Sequence, residues 1–139
     1  MAQINPYLTF NGNCEEAFTL YKSVFGGEYR VFSRFKDMPG NEIPDSGKEK
    51  ILHVSLPISE ETILMGSDNN PAMGDVPMGE NISLSVNAQS KDEADRIFQK
   101  LSEGGHVTMP IANTFWGAYF GMMVDKFGIQ WMVNYDMPK

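Results

Sequence analysis

Hydrophobic positions in this chain alternate with polar ones in some stretches and recur at helical spacing in others, and the order of the two patterns repeats. Residues Ile4 to Asn11 alternate well enough for a strand, with Pro6 limiting which edge can pair there. Asn11 and Gly12 turn the chain. Asn13 and Glu16 then stand at the spacing of a capping box, in which the Asn13 side chain accepts from an exposed amide and Glu16 reaches back. Ala17, Leu20, Tyr21, Val24 and Phe25 recur on one helical face, and Gly26 and Gly27 supply the left-handed conformation that ends a helix. From Glu28 to Lys36 the period returns to two, with Tyr29, Val31, Ser33 and Phe35 facing one way and Arg30, Arg34 and Lys36 the other. Asp37 to Lys48 is rich in Pro, Gly and charge and reads as a surface loop. Ile51 to Ile58 alternates again and carries His53; a short strand is predicted over Thr62 to Gly66.

A second loop, from Asn69 to Glu80, is followed by a restart. Asn81 to Asn87 alternates as a strand, and Ser90 and Glu93 form a second capping box. A helix through Ala94, Ile97, Phe98 and Leu101 ends at Gly104 and Gly105. Strand-like runs follow at His106 to Met109, Ala118 to Val124 and Ile129 to Tyr135. The offset between Glu16-Ala17 and Glu93-Ala94 is 77, and that between Gly26-Gly27 and Gly104-Gly105 is 78. The pattern therefore predicts an α+β fold of two βαβββ modules, residues 1–68 and 80–139, joined by loop 69–79. On pattern alone two origins are open: an internal duplication, or the same order arising by chance in a two-layer α+β domain.

The run from Thr114 to Trp131 concentrates aromatic and Met side chains around glycines, with Asp125, Lys126, Phe127 and Gly128 offering turn chemistry between two strands. It predicts a closing hairpin. Trp116, Tyr119, Phe120, Met123 and Trp131 have the residue types of a ligand-cavity wall, and equally those of a core or a dimer interface. Trp116 lies in an expected loop, which favours a site or an interface.

Composition narrows the classes. A chain of 139 residues, 42% hydrophobic and 21% charged, fits one globular domain with a core of its own. No stretch is apolar for long enough to span a bilayer, and the N-terminus lacks a basic region followed by an apolar one, so a cytoplasmic protein without membrane partners is expected. The single cysteine, Cys14, agrees with a reducing compartment. A net charge of −7 opposes attraction to phosphates and argues against a nucleic-acid partner.

Several segments together resemble the PhnB-like proteins of the glyoxalase/bleomycin-resistance, or vicinal oxygen chelate, superfamily. They are Pro6 to Ala17 with Tyr21 and Phe25 to Gly27, Ile51 to Val54, Leu64 to Asp68, Thr114 to Gly117, and Asp125 to Met132. The resemblance runs nearly end to end. It implies two βαβββ modules whose curved sheets form a cleft, and a homodimer. A demethylubiquinone methyltransferase label also occurs among such proteins, but no Gly-rich loop follows a strand here in the manner of a nucleotide-type cofactor site, so nothing supports S-adenosylmethionine.

Metal-dependent members of the superfamily hold zinc, nickel, iron or manganese on the first and last strands of each module. The resemblance maps these positions to Asn5 or Pro6, Met65 or Gly66, Asn81, and Met132; amide and thioether groups are weak ligands for such ions, and Gln130 alone does not complete a set. No cofactor is therefore expected, and a divalent metal is disfavoured. His53 is the candidate for acid–base work, since imidazole titrates near neutrality; the alternative is a histidine satisfied within a half-buried sheet. His106 and the acids Asp68, Glu80 and Asp125 read as structural, turn or cap residues. Cys14, at a predicted helix start, reads either as a reactive thiol or as a small packed residue. The expected ligand-binding residues are Trp116, Tyr119, Met123, Trp131, Asn81, Ser83 and Met65, around a small organic ligand. A metal-dependent lyase, isomerase or dioxygenase, a metal-free reaction with His53 as base, and an interaction protein with a filled cleft are the alternatives.

Overall fold

A computed structural model describes residues 2–40 and 43–138. The chain divides into two compact units, Met1–Pro77 and Met78–Lys139. In the first unit, β1 (Tyr7–Phe10) leads into helix α1 (Cys14–Phe25), and β2 (Val31–Arg34), β3 (Ile51–Pro57) and β4 (Ile63–Asp68) follow. The sheet order is β1-β4-β3-β2, with β1 parallel to β4 and the other pairs antiparallel. In the second unit β5 (Leu84–Asn87), helix α2 (Lys91–Ser102), β6 (His106–Asn113), β7 (Ala118–Val124) and β8 (Gln130–Asp136) take the order β5-β8-β7-β6, again with only the first pair parallel. Each unit is thus a βαβββ module with the same topology, and the predicted α+β class and its two modules stand.

The strand ends differ from expectation for identifiable reasons. Pro6 has no N–H to give a ladder, so β1 begins at Tyr7; Asn5 and Pro6 instead accept from Ile63 and Met65 through Oδ1 (3.0 Å) and the backbone carbonyl (3.1 Å). β2 stops at Arg34, where a register shift gives way to a 3-10 turn over Phe35–Asp37. β5 begins only at Leu84, leaving Asn81 and Ser83 ahead of the paired ladder. β6 runs on to Asn113 through Pro110; it is an edge strand with two register shifts, a setting that tolerates a missing donor. The expected loop Asp37 to Lys48 contains a second 3-10 turn at Asp45–Gly47, and its residues 41 and 42 lie outside those described.

One helix packs on one face of each sheet, and a glycine marks the closest approach. A Cβ added at Gly66 would lie 2.8 Å from the Phe18 ring of α1 and 2.8 Å from the Leu8 carbonyl. At Gly121 it would lie 2.7 Å from the Phe98 ring of α2. Alternation from these glycines assigns the remaining side chains. Leu8, Phe10, Val54, Leu56 and Leu64 meet α1, while Met123, Trp131 and Val133 meet α2; all except half-buried Leu8 are buried.

The helix starts are capped differently. Ser90 caps α2 as expected, accepting from Glu93 N–H at 3.0 Å, while the Glu93 carboxylate accepts from Gln89 N–H. At α1 the Asn13 side chain makes no cap bond. Its place is taken by buried Asp68 at the end of β4, whose Oδ1 accepts from Gly12 N–H (2.9 Å) and Cys14 N–H (3.0 Å) and whose Oδ2 accepts from Ile51 N–H (2.9 Å). A full negative charge at a helix N-terminus makes a stronger acceptor than an amide oxygen. Asp125, also buried, organises the β7–β8 turn: Oδ1 accepts from Phe127 and Ile129 N–H, and Oδ2 from the Trp131 indole at 2.9 Å. Gly128, at φ 91°, completes that turn.

Asp68→Ala leaves three amides without their acceptor and is expected to destabilise the protein by about 3 kcal/mol or more in urea unfolding. Asp68→Asn, which keeps one acceptor oxygen, should lose distinctly less. A loss below about 1 kcal/mol in Asp68→Ala would mean that the carboxylate is not the organising group.

Candidate functional site

Since each helix covers one face, the polar chemistry of each sheet gathers on the face without a helix. In the first module, register places Tyr7, Met65, Ser67, His53, Ser55 and Ser33 there. Tyr7 and His53 stack with ring centroids 5.6 Å apart and planes 13° from parallel, and the Tyr7 hydroxyl is 3.3 Å from His53 Nδ1. When the phenol donates to Nδ1, the imidazole proton sits on Nε2 and faces outward as a donor; with the other tautomer the phenol oxygen accepts. The His53 backbone carbonyl also accepts from the Ser33 hydroxyl at 3.4 Å. A histidine held by a phenol and supported through its backbone is oriented to donate to, or take a proton from, a bound molecule.

In the second module the helix-free face carries Phe120, Met122, Met132, Gln130, Asn134 and Ser85. Asn134 donates to Asn87 Oδ1 at 3.2 Å and to Asp136 Oδ1 at 3.0 Å, so its amide is fixed. Trp116, 55% exposed, stands edge-on to Phe120 at 5.9 Å between centroids, and Phe115, 97% exposed, packs edge-on to Trp116 at 5.1 Å. This face is therefore thioether, aromatic and amide in character, whereas that of the first module is hydroxyl and imidazole.

The sequence-derived candidates separate into two groups. His53 and Met65 share the helix-free face of the first module, and Trp116 joins that of the second. Met123 (1% exposed) and Trp131 (2%) are register partners on the α2 side, part of that module's core. Tyr119 also faces α2, where its hydroxyl donates to Asp95 and the Lys91 ammonium lies 4.6 Å above its ring; the bond to Asp95 holds its pKa above the usual phenol value. Asn81 and Ser83 precede β5, exposed and half-buried respectively. Tyr7, Ser85 and Met122 were not singled out from sequence. Their signal is register, which places Tyr7 beside Met65, and Ser85 and Met122 either side of Met132.

Two equivalent pairs thus occupy the first and last strands of the modules: Tyr7 with Met65, and Ser85 with Met132. The expected positions Asn5 or Pro6 and Asn81 precede the ladders, so Tyr7 and Ser85 stand opposite Met65 and Met132 instead; each pair, a hydroxyl with a thioether, is a poor donor set for a divalent ion. Among the described residues no three His, Cys, Asp or Glu side chains come together to hold a metal ion.

The family model for 3-demethylubiquinone-9 3-methyltransferase matches residues 2–134. Protein YjdN of Escherichia coli (strain K12) is 32% identical over 94% of this chain and 93% of its own length. The chain belongs to this PhnB-like family. Protein PA1353 from Pseudomonas aeruginosa shares 45% identity across 99% of this chain and 100% of its own, with a TM-score of 0.88. The PhnB protein of Bacillus cereus shares 25% across 96% and 99%, with a TM-score of 0.78. A glyoxalase/bleomycin resistance protein/dioxygenase family enzyme from Burkholderia phytofirmans, 12% identical across 96% and 97% with a TM-score of 0.64, has the same fold. The PhnB-like chain thus has the fold of glyoxalase/bleomycin resistance proteins.

Cys14 lies apart from the first module's helix-free face, fully buried at the start of α1. Burial pushes its thiol well above the usual range, and the carboxylates of Asp68 and Glu15 add to the effect. The thiol therefore stays protonated through the alkaline range in which an exposed cysteine ionises. Ellman's reagent at pH 8 is expected to label it only when denaturant unfolds the protein; prompt labelling of the native state would contradict this placement.

Proposed function

We propose that this PhnB-like protein is a cytoplasmic, homodimeric binder of a small organic molecule, held against a helix-free face without a resident divalent metal. The observation that carries the reading is the chemistry of each helix-free face taken by itself. One supplies oriented hydroxyl and imidazole groups around the Tyr7–His53 stack; the other supplies adaptable apolar surface from Phe120, Met122 and Met132, with Trp116 at its margin. Ligand sites combine largely apolar walls with a few placed polar groups, and the second module's face has both, with Gln130 and Asn134 beside its thioether and aromatic surface. The dimer is supported by large apolar side chains left in solvent, Phe115 at 97% and Ile82 at 76% among them. No helix of the described residues is long and apolar enough to cross a membrane. The net charge of −7 makes nucleic acid an unsuitable partner.

A second reading has its own observation. The contact between Tyr7 and His53 is the arrangement a metal-free general base needs, so the bound molecule is either retained unchanged or loses a proton to His53. A lyase, isomerase or dioxygenase that depends on a divalent metal has no such support, because the donor set is wrong.

A thermal-shift screen of small organic compounds tests the reading, since a ligand that binds only the native state raises the melting temperature. Trp116→Ala, at a half-exposed position, is expected to leave the ligand-free stability within about 0.5 kcal/mol and to reduce the shift produced by the hit compounds. A screen in which no compound shifts the wild-type protein would leave an interaction protein as the better account. Once a hit is in hand, unchanged turnover of it by His53→Ala would remove the general-base reading.

A further inference from the structure

Three methionines lie side by side across the second sheet. Met109 on β6 is the register partner of Met122 on β7, and Met122 is in turn the partner of Met132 on β8. All three are half-buried, and the row lies on the face opposite α2, since it alternates with Gly121 and Met123. A local irregularity creates it. Val107 pairs with Met123, so regular antiparallel pairing would set Thr108 opposite Met122. One extra residue in β6 at this point sets Met109 there instead. Bulges of this kind re-aim side chains and occur beside functional sites.

The immediate same-face neighbours of Met122 and Met132 along their strands are uncharged. Along the strands, Met122 is flanked on the same face by Phe120 and Val124 and Met132 by Gln130 and Asn134, while Ser85 extends the row onto β5. Neighbouring strands are roughly 4.8 Å apart, and the flexible, unbranched Met side chain lets sulfurs on adjacent strands converge. Neutral thioethers are poor ligands for hard divalent ions but select soft ones, above all Cu(I). The chain's net charge of −7 favours the approach of a cation.

We propose that Met109, Met122 and Met132 form a binding site for one soft monovalent cation, Cu(I) or its redox-inert surrogate Ag(I). The site shares Met122 and Met132 with the organic-ligand surface but does not depend on that reading: it needs only the second sheet and a donor set of three thioethers. It involves binding alone, with no change in oxidation state.

The test uses the full chain labelled with 13C in the Met methyl groups and titrated with Ag(I). Three methyl resonances, assigned by single Met→Leu substitutions at 109, 122 and 132, are expected to shift together and saturate at one equivalent. In parallel, anaerobic competition for Cu(I) with bicinchoninate should show one bound ion. Met122→Leu, nearly equal in volume, should weaken the site at least as much as loss of an outer-shell partner weakens a metal site, on the order of 10-fold or more. Met73→Leu, at an exposed loop position, and Cys14→Ser should leave it unchanged. Failure to shift these three methyls, shifts confined to other methionines, or Cu(I) affinity abolished by Cys14→Ser and indifferent to Met122→Leu would each overturn the proposal. Thermal-shift hits with organic compounds are a separate readout, so failure of either reading is visible without the other.

Discussion

Each four-stranded sheet of this protein packs against one helix, α1 or α2, and a single helix buries only one face. Gly66 and Gly121 let the rings of Phe18 and Phe98 approach the sheets so closely that any side chain there would collide with them. From that contact the two-residue alternation of a strand decides the rest. Residues of the central strands in phase with these glycines belong to a core, while Phe32 and Val107 on the edge strands stay exposed; residues out of phase stand on a face that the module's own helix leaves uncovered. The chemistry of the molecule is therefore sorted by parity.

Two buried carboxylates hold that arrangement in place. Asp68 joins the start of α1 to the beginning of β3 and the end of β4, while Asp125 joins the β7–β8 turn to the indole of Trp131. Both accept several N–H groups that would otherwise be buried without partners. Neither belongs to a helix-free face. The acids thus do structural work, and what remains for ligands is imidazole, hydroxyl, amide, thioether and aromatic surface.

Much of the fold was legible in the chain. Both helices, their glycine ends, the repeated order and the closing turn at Asp125 to Gly128 follow from local periodicity and turn chemistry, which act over a few residues. The cap of α1 was not legible, because its acceptor Asp68 is 54 residues from Cys14 and only the folded sheet brings them together. The face taken by Met123 and Trp131 was hidden for another reason: Ala118 to Val124 is almost continuously apolar, so alternation gives no phase until a helix contact fixes one. Register was equally silent, and with it the pairing of Tyr7 with Met65 and the bulge that brings Met109 opposite Met122. His53 was visible as an imidazole on a strand; its phenol partner, 46 residues away, was not.

Family and geometry converge on a PhnB-like protein with the fold of glyoxalase/bleomycin resistance proteins. Tyr7 with Met65 in one module, and Ser85 with Met132 in the other, are each weak donors for zinc or iron, and a metal-free binder of an organic molecule is the proposal that follows. Native mass spectrometry of protein purified under gentle conditions, with the released small molecules identified and elemental analysis on the same sample, tests this most directly. The account predicts a reproducible organic compound and no stoichiometric zinc, nickel, iron or manganese. One equivalent of such a divalent ion, retained by the folded protein and lost on substitution of Met65 or Met132, would contradict it.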